Sequence, residues 1–330
     1  MIGLIKKGIG GFYYVETDKG LIEAKGRGIF KKDGITLMVG DNVEISIIDE
    51  PEKKGVIEAI LPRKNQFIRP PIANVDIFAI VFAPRKPKPN FALIDKFLIM
   101  AKMKGAEAII CINKCDLASE DEIAEIKAMY APVYPVLEIS AKTGKGINAL
   151  ENEISGKRVA LAGPSGVGKS TILNSMIPHA NMETGSISEK TQRGKHTTRH
   201  VEIFDAYKDA KVFDTPGFTS FEILEAEEDN LQAYYPEFEP YAGSCRYDNC
   251  RHIKEPGCTV QKAVSDGRIH PKRYDSYVSN MEEIRKRKKS WQHLEIMPST
   301  RRKKRILSLL QCRWMRPLSF TDGLQAWGKM

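Results

Sequence analysis

No stretch of the 330-residue chain stays apolar for the ~18 residues needed to cross a bilayer. The opening Met1-Ile2-Gly3-Leu4-Ile5-Lys6-Lys7 lacks the basic, apolar, small-residue order of a secretion signal. These absences point to a cytoplasmic protein with no membrane partner. Cysteine is sparse, with six residues, and in the cytosol disulfides are rare. Net charge is missing from most of the chain. Residues 282–330 hold thirteen Lys or Arg against four Asp or Glu, an excess that equals the +9 of the whole protein. The first 281 residues are therefore neutral as a group. A basic C-terminal end suits a polyanion such as RNA, or else serves as a solubilising tail.

What the chain does have is a phosphate loop. Gly163-Pro164-Ser165-Gly166-Val167-Gly168-Lys169-Ser170 fits G-x-x-x-x-G-K-[ST]. The apolar run Val159 to Ala162 supplies a strand before it, and Thr171 to Met176 a helix after it. Glycines let the backbone N–H groups close on phosphate oxygens, and the helix N-terminus and Lys169 add positive charge. The Ser170 hydroxyl suits Mg²⁺, and Thr171 continues the loop's binding set. A glycine-rich turn that binds nothing is the alternative; the flanking strand and helix argue against it.

Upstream, Ala108 to Ile112 reads as a buried strand that runs into Asn113-Lys114-Cys115-Asp116. The Asp116 carboxylate suits the N1–H and N2–H₂ of guanine, and Asn113 its O6/N7 edge. Adenine would leave the carboxylate unpaired. Ser140-Ala141-Lys142, after the strand Val136 to Ile139, can pack beside the base. Downstream, Asp214-Thr215-Pro216-Gly217 ends another strand, where Asp214 suits the Mg²⁺ shell and the Gly217 N–H a γ-phosphate. Between the phosphate elements, Ser186 to Thr198 is polar and ends in His196-Thr197-Thr198. One of these threonines completes the metal's coordination in an order–disorder switch, and the sequence leaves open which. Phe218 stands where many small GTPases place a water-orienting glutamine, so His196 is the internal candidate for catalysis; a solvated loop histidine is its alternative.

The organisation around these motifs is threefold. Residues 1–70 read as all-β, with strands at Ile9 to Val15, Gly20 to Ala24, Asn42 to Ile48 and Gly55 to Leu61, which suggests an OB-like barrel of structural or RNA-binding use. Arg69-Pro70-Pro71 marks a boundary, and residues 71–222 alternate strands and helices. Helices are expected at Phe91 to Lys102, Asp121 to Met129 and Asn148 to Ile154, around an α/β, mostly parallel sheet with helices on both faces. Residues 223–293 contain Cys245, Cys250, His252 and Cys258, spaced C-x4-C-x-H-x5-C, a donor set suited to one structural Zn²⁺. Chance clustering and disulfides are the alternatives. A helix is expected at Asp275 to Lys289, ending Arg285-Lys286-Arg287-Lys288-Lys289. Residues 294–330 form a basic tail: disordered, amphipathic or a strain-specific extension.

Base-recognition motifs thus precede the phosphate loop, the reverse of the usual order. Over roughly residues 1–290 the chain resembles a circularly permuted GTPase of the ribosome small-subunit-dependent (RsgA-type) family. The resemblance implies GTP/GDP and Mg²⁺ as ligands, and a zinc site matching the four ligands above. It also favours His196 as the catalytic position. As partners it implies the small ribosomal subunit and its 16S-type rRNA, with a role in late subunit maturation; nothing suggests other than a monomer. Two other classes remain: a GTP-gated RNA-binding switch with negligible hydrolysis, and a GTP-dependent adaptor acting through residues 294–330. An ATPase is disfavoured by Asn113 and Asp116.

Overall fold

Strands β1 (Ile2–Ile9), β2 (Phe12–Thr17), β3 (Gly20–Gly26), β4 (Asn42–Asp49) and β5 (Lys54–Ile60) close into a barrel in the computed structural model. The order is β1-β2-β3-β5-β4, and β4 pairs back onto β1. Only β3 and β5 run parallel, and the short helix α1 (Gly28–Lys32) follows β3. Closure removes the free edges that an open sheet would leave. The structure describes residues 1–68, 70–177, 201–214 and 226–296. His196, Thr197, Thr198, Gly217, Phe218 and residues 297–330 of the tail lie outside them.

The run expected as one strand from Ile9 to Val15 begins in a hairpin corner, and from Phe12 on it is β2. Gly10 and Gly11, at φ 59° and 87°, turn the chain between β1 and β2. Strand β1 was hidden in the sequence by Lys6 and Lys7, whose charges break the apolar pattern. In the fold both lysines find carboxylates on neighbouring strands. A two-stranded hairpin, β6 (Gln66–Phe67) with β7 (Ile72–Ala73), straddles the expected boundary at residue 70.

The strands β8 (Ile77–Phe82), β9 (Glu107–Ile112), β10 (Val136–Glu138), β11 (Arg158–Ala162), β12 (Glu202–Asp205) and β13 (Lys211–Asp214) follow in the order β10-β9-β8-β11-β13-β12, and β12 pairs onto β1, so they continue the barrel's sheet. The first five strands of that order are parallel and β12 is antiparallel to β13. Every residue of β8 is buried, as a strand covered on both faces requires. Phe78, Ile80 and Phe82 face one core, with helices α2 (Phe91–Met103) and α3 (Glu120–Tyr130). Ile77, Ala79 and Val81 face the other, with α4 (Ile147–Glu153) and α5 (Lys169–Met176). The first core continues through Phe67 and Ile72 into the barrel's Ile5, Val15 and Val43, so barrel and sheet share one apolar interior. After β8 the chain steps outward to β9 and β10; after β11 it steps to the other side. The crevice between β8 and β11 is therefore the switch point where such sheets bind ligands.

Beyond residue 226 the chain forms short helical turns, a helix Thr259–Ser265 and the helix Pro271–Ile296, longer at both ends than the sequence suggests. Tyr235, Phe238 and Tyr277 pack ring against ring, with centroids 4.8–5.3 Å apart. Residues 278–296, which carry Arg285 to Lys289, belong to a second compact unit. Within it Lys286 pairs with Glu282 one turn away at 3.7 Å.

Candidate nucleotide and metal sites

The loops that follow β9, β10 and β11 meet at the carboxyl end of the sheet, and one side chain ties them together. Asn113, 2% exposed, directly follows β9. Its Nδ2 donates to the carbonyl of Val167 in the phosphate loop at 2.7 Å, and its Oδ1 accepts from the Ala141 N–H at 3.1 Å. The oxygen and one amide hydrogen are thereby engaged, which leaves Nδ2 its second hydrogen. Lys114, held at φ 62°, donates to the Gly166 carbonyl at 2.7 Å and to that of Lys86 at 2.9 Å. Gly168 sits at φ 97°, and a Cβ there would lie 2.3 Å from Asn113 Nδ2. That position therefore needs glycine for its backbone angle and for the approach of Asn113.

Asp116 is exposed on the turn between β9 and α3. A hydrogen bond from Ser140 holds its carboxyl below the usual carboxylate range, with Lys142 and Lys114 adding to the effect. Ser140 is itself buried, and its backbone N–H is satisfied by the Lys145 carbonyl at 2.9 Å. A capping box of Ser119 with Glu122 starts α3 and so fixes the exit from this turn. The Asn113 to Asp116 turn thus has an ionised acceptor in the open and a buried frame behind it.

In the phosphate loop Gly163 packs against β8, where a Cβ would meet the Val81 carbonyl at 2.0 Å. Ser165 and Gly166 are exposed, while Val167 anchors the loop in the core below. Lys169 donates from Nζ to the carbonyls of Gly163 at 2.7 Å and Pro164 at 2.8 Å, which places its ammonium inside the loop's curve. Burial lowers the Lys169 pKa, against the pull of the Asp214 carboxylate. Asp214 ends β13; burial raises its pKa, with Glu202 adding to the rise and Lys169 opposing it. Glu202 is its directly opposed partner on β12. Ser170 and Thr171 open α5 and are exposed. Oxygen donors from Ser170 and Asp214 are the types a hard cation such as Mg²⁺ takes.

Cys245, Cys250, His252 and Cys258 bring their ligand atoms within 4.8 Å of one another. His252 Nδ1 lies 3.3 Å from the Cys258 sulfur and 3.5 Å from that of Cys245. Its Nε2 is hydrogen-bonded to Gln232 Oε1. A carbonyl on Nε2 keeps the proton there and turns the Nδ1 lone pair toward the thiols, the outer support that metal-bound histidines need. The donor set is three sulfurs and one nitrogen, closed and mostly buried, and it fits a structural Zn²⁺. Burial pushes the Cys250 thiol up to about 12, so metal binding at this site must expel its proton. Gln232 has no signature in the sequence, because it lies 20 residues from the histidine it serves.

Comparison with known proteins follows the same lines. The family described as RsgA GTPase matches residues 60–224, and the RsgA N-terminal domain matches residues 2–57. The small ribosomal subunit biogenesis GTPase RsgA of Alkaliphilus metalliredigens is 46% identical over 288 residues, 87% of this chain and 99% of the relative. That of Agathobacter rectalis is 45% identical over 301 residues, covering 88% and 100%. The crystal structure of YjeQ from Thermotoga maritima superposes with a TM-score of 0.74 at 35% identity, over 86% of this chain and 98% of that one. YloQ, described as a circularly permuted GTPase, gives 0.71 at 36% identity, over 87% and 95%.

Proposed function

The chain belongs to the RsgA family of circularly permuted GTPases, and on that premise we propose that it binds the small ribosomal subunit through its rRNA and hydrolyses GTP there during late subunit maturation. The observation that carries this reading is Asn113, whose amide joins the base-reading turn to both the phosphate loop and the Ser140-Ala141 turn. An ionised Asp116 accepts from the guanine N1–H and N2–H₂, Asn113 uses its second amide hydrogen on the base edge, and the Ala141-Lys142 backbone lines it. The loop Gly163 to Thr171 wraps the phosphates, and Lys169 turns its ammonium from the loop carbonyls to the β- and γ-oxygens. Ser170, Asp214 and one of Thr197 and Thr198 would hold Mg²⁺, which would supply positive charge against the phosphates. The Gly217 N–H reads the γ-phosphate, and His196 orients the attacking water.

Residues 1–70, 71–222 and 223–293 form barrel, GTPase and zinc-binding parts of one cytoplasmic monomer. The barrel and the basic helix supply RNA contacts. Among the described residues, no helix is long and apolar enough to cross a membrane.

Multiple-turnover GTP hydrolysis, with and without purified small subunits and beside His196→Ala, tests this. Stimulation of at least about tenfold that the substitution abolishes is expected. Stimulation that survives His196→Ala would remove the histidine from catalysis. Nucleotide binding without turnover under any condition would favour the RNA-binding switch instead.

A further inference from the structure

The barrel does more than sit beside the nucleotide sheet. It backs the strand that carries Asp214. In β12 and β13 the cross-strand pairs are Glu202 with Asp214, Ile203 with Phe213, and Asp205 with Lys211. Side chains alternate between faces along a strand. Glu202 and Asp214 thus share the face that Val212 buries against α5, below the phosphate loop. Ile203, Phe213, Asp205 and Lys211 share the opposite face, and that one meets the barrel.

Two observations define the meeting. The first is steric. Gly40, at φ 96° in the turn before β4, lies so close that a Cβ would stand 2.1 Å from the Ala73 carbonyl and 2.9 Å from the Phe213 ring. The residue next to Asp214 is therefore in contact with barrel backbone. The second is electrostatic. Lys6 of β1 pairs with Glu16 of β2 at 3.2 Å and with Asp205 of β12. Lys211 of β13 pairs with the same two acids, Glu16 at 2.7 Å and Asp205 at 2.8 Å. The four side chains make a closed ring of alternating charge, two from the barrel and two from the hairpin. The Lys6 side chain is only 14% exposed. Beside the ring, Lys7 of β1 pairs with Glu202 at 2.7 Å, at the one register position where β1 and β12 are directly paired.

We propose that the ring of Lys6, Glu16, Asp205 and Lys211 is a positioning device: it clamps β12–β13 to the barrel and thereby sets where Asp214 stands relative to the phosphate loop. This rests on the assignment of Asp214 to the metal and γ-phosphate side of the site. The ring touches no nucleotide. It acts through Phe213 and the strand backbone, so a barrel substitution should be read out in the preference for GTP over GDP. Charged networks hold geometry better than isolated surface pairs because each charge keeps a partner when another moves. The arrangement puts the barrel in direct contact with the strand that ends at Asp214.

The test uses the full chain and exchanges charges by halves. Lys6→Glu with Glu16→Lys inverts the barrel half; Asp205→Lys with Lys211→Glu inverts the hairpin half. Each half-inversion sets like charges across the joint while keeping the pair within its own half. The quadruple variant restores all four attractions. Dissociation constants for a non-hydrolysable GTP analogue and for GDP are measured in Mg²⁺ for each protein, beside Asp214→Ala. Each half-inversion should weaken the GTP analogue about three- to tenfold more than GDP, and the quadruple variant should recover the wild-type ratio.

Equal weakening of both nucleotides, an unchanged ratio, or no recovery in the quadruple variant would overturn the proposal. If Asp214→Ala keeps the wild-type ratio, the assignment of Asp214 fails and the ring's role fails with it. If Asp214→Ala loses the ratio while the half-inversions keep it, the ring alone fails. Should a half-inversion not fold, Lys6→Met carries the same comparison, with a smaller shift in the same direction expected and an unchanged ratio counting against the ring.

Discussion

At the scale of single residues, the proposed recognition of the base depends on an exposed carboxylate with a buried frame. Asp116 stands in the open, and the Ser140 hydrogen bond holds its carboxyl below the ordinary value. Asp116→Asn exchanges one acceptor oxygen for a donor, which suits a base with a carbonyl in place of the guanine 2-amino group. GTP affinity should fall at least about 100-fold, and xanthosine triphosphate should gain. Competition against a fluorescent guanine nucleotide measures both, and unchanged GTP affinity would remove Asp116 from the site. The motif was legible because its residues are contiguous. Gln232 was not: it reaches His252 only because the chain folds back over 20 residues, and a lone glutamine carries no pattern.

Among elements, one buried contact is a charged one. Arg273, on the first turns of the helix Pro271–Ile296, is 2% exposed and is held by Asp95 of α2 and by Glu237, the latter at 2.6 Å. Tyr130 of α3 donates to Asp95 at 3.0 Å, and the Arg273 guanidinium lies 5.3 Å from the Tyr130 ring. Helices α2 and α3 are thus joined to the helix Pro271–Ile296 through one buried cation. Arg273→Met leaves two buried carboxylates without their partner and should cost about 3–5 kcal/mol, seen as a lowered Tm.

The loss should also depend on pH. Burial holds the Asp95 carboxyl above its ordinary value, and Arg273 pulls the other way. A carboxyl raised in the folded state supports folding best below its unfolded pKa, and that support is lost as pH rises through the folded pKa. Without Arg273 the rise is larger, so the deficit of the variant should narrow as pH falls toward about 5. Thermal melts across pH test this, and a deficit independent of pH would show that Asp95 does not ionise in the fold. No sequence pattern announced this contact, since Asp95 and Arg273 are 178 residues apart.

For the whole molecule, apolar burial is unevenly shared. Two large cores serve the barrel and the nucleotide sheet, while Tyr235, Phe238 and Tyr277 form a small aromatic cluster of their own. A Zn²⁺ held by Cys245, Cys250, His252 and Cys258 would support so small a core, contributing on the order of 10 kcal/mol in modules of this kind. A zinc-selective chelator should therefore speed amide hydrogen exchange across residues 226–277 at least about tenfold while guanine nucleotide still binds. Exchange unchanged after zinc loss would mean that Arg273 and the aromatic cluster suffice alone.

The sequence by itself carried the motifs: a phosphate loop, an Asn-Lys-Cys-Asp turn suited to guanine, three thiols with an imidazole, and the order that marks a permuted GTPase. Each is a short run whose residue types admit few other uses, so local spacing carries the information. Most strands and helices of the nucleotide sheet were legible for a similar reason, through apolar runs and helical spacing. Strand β1 was missed because Lys6 and Lys7 break its apolar pattern, and their meaning depends on partners up to 199 residues away. Only the tertiary structure decided that the barrel and sheet share a core, that Asn113 joins three loops, and that Arg273 and the Lys6–Glu16–Asp205–Lys211 ring make the joints. Those contacts unite residues far apart in the chain, and a single sequence records such proximity in neither spacing nor composition.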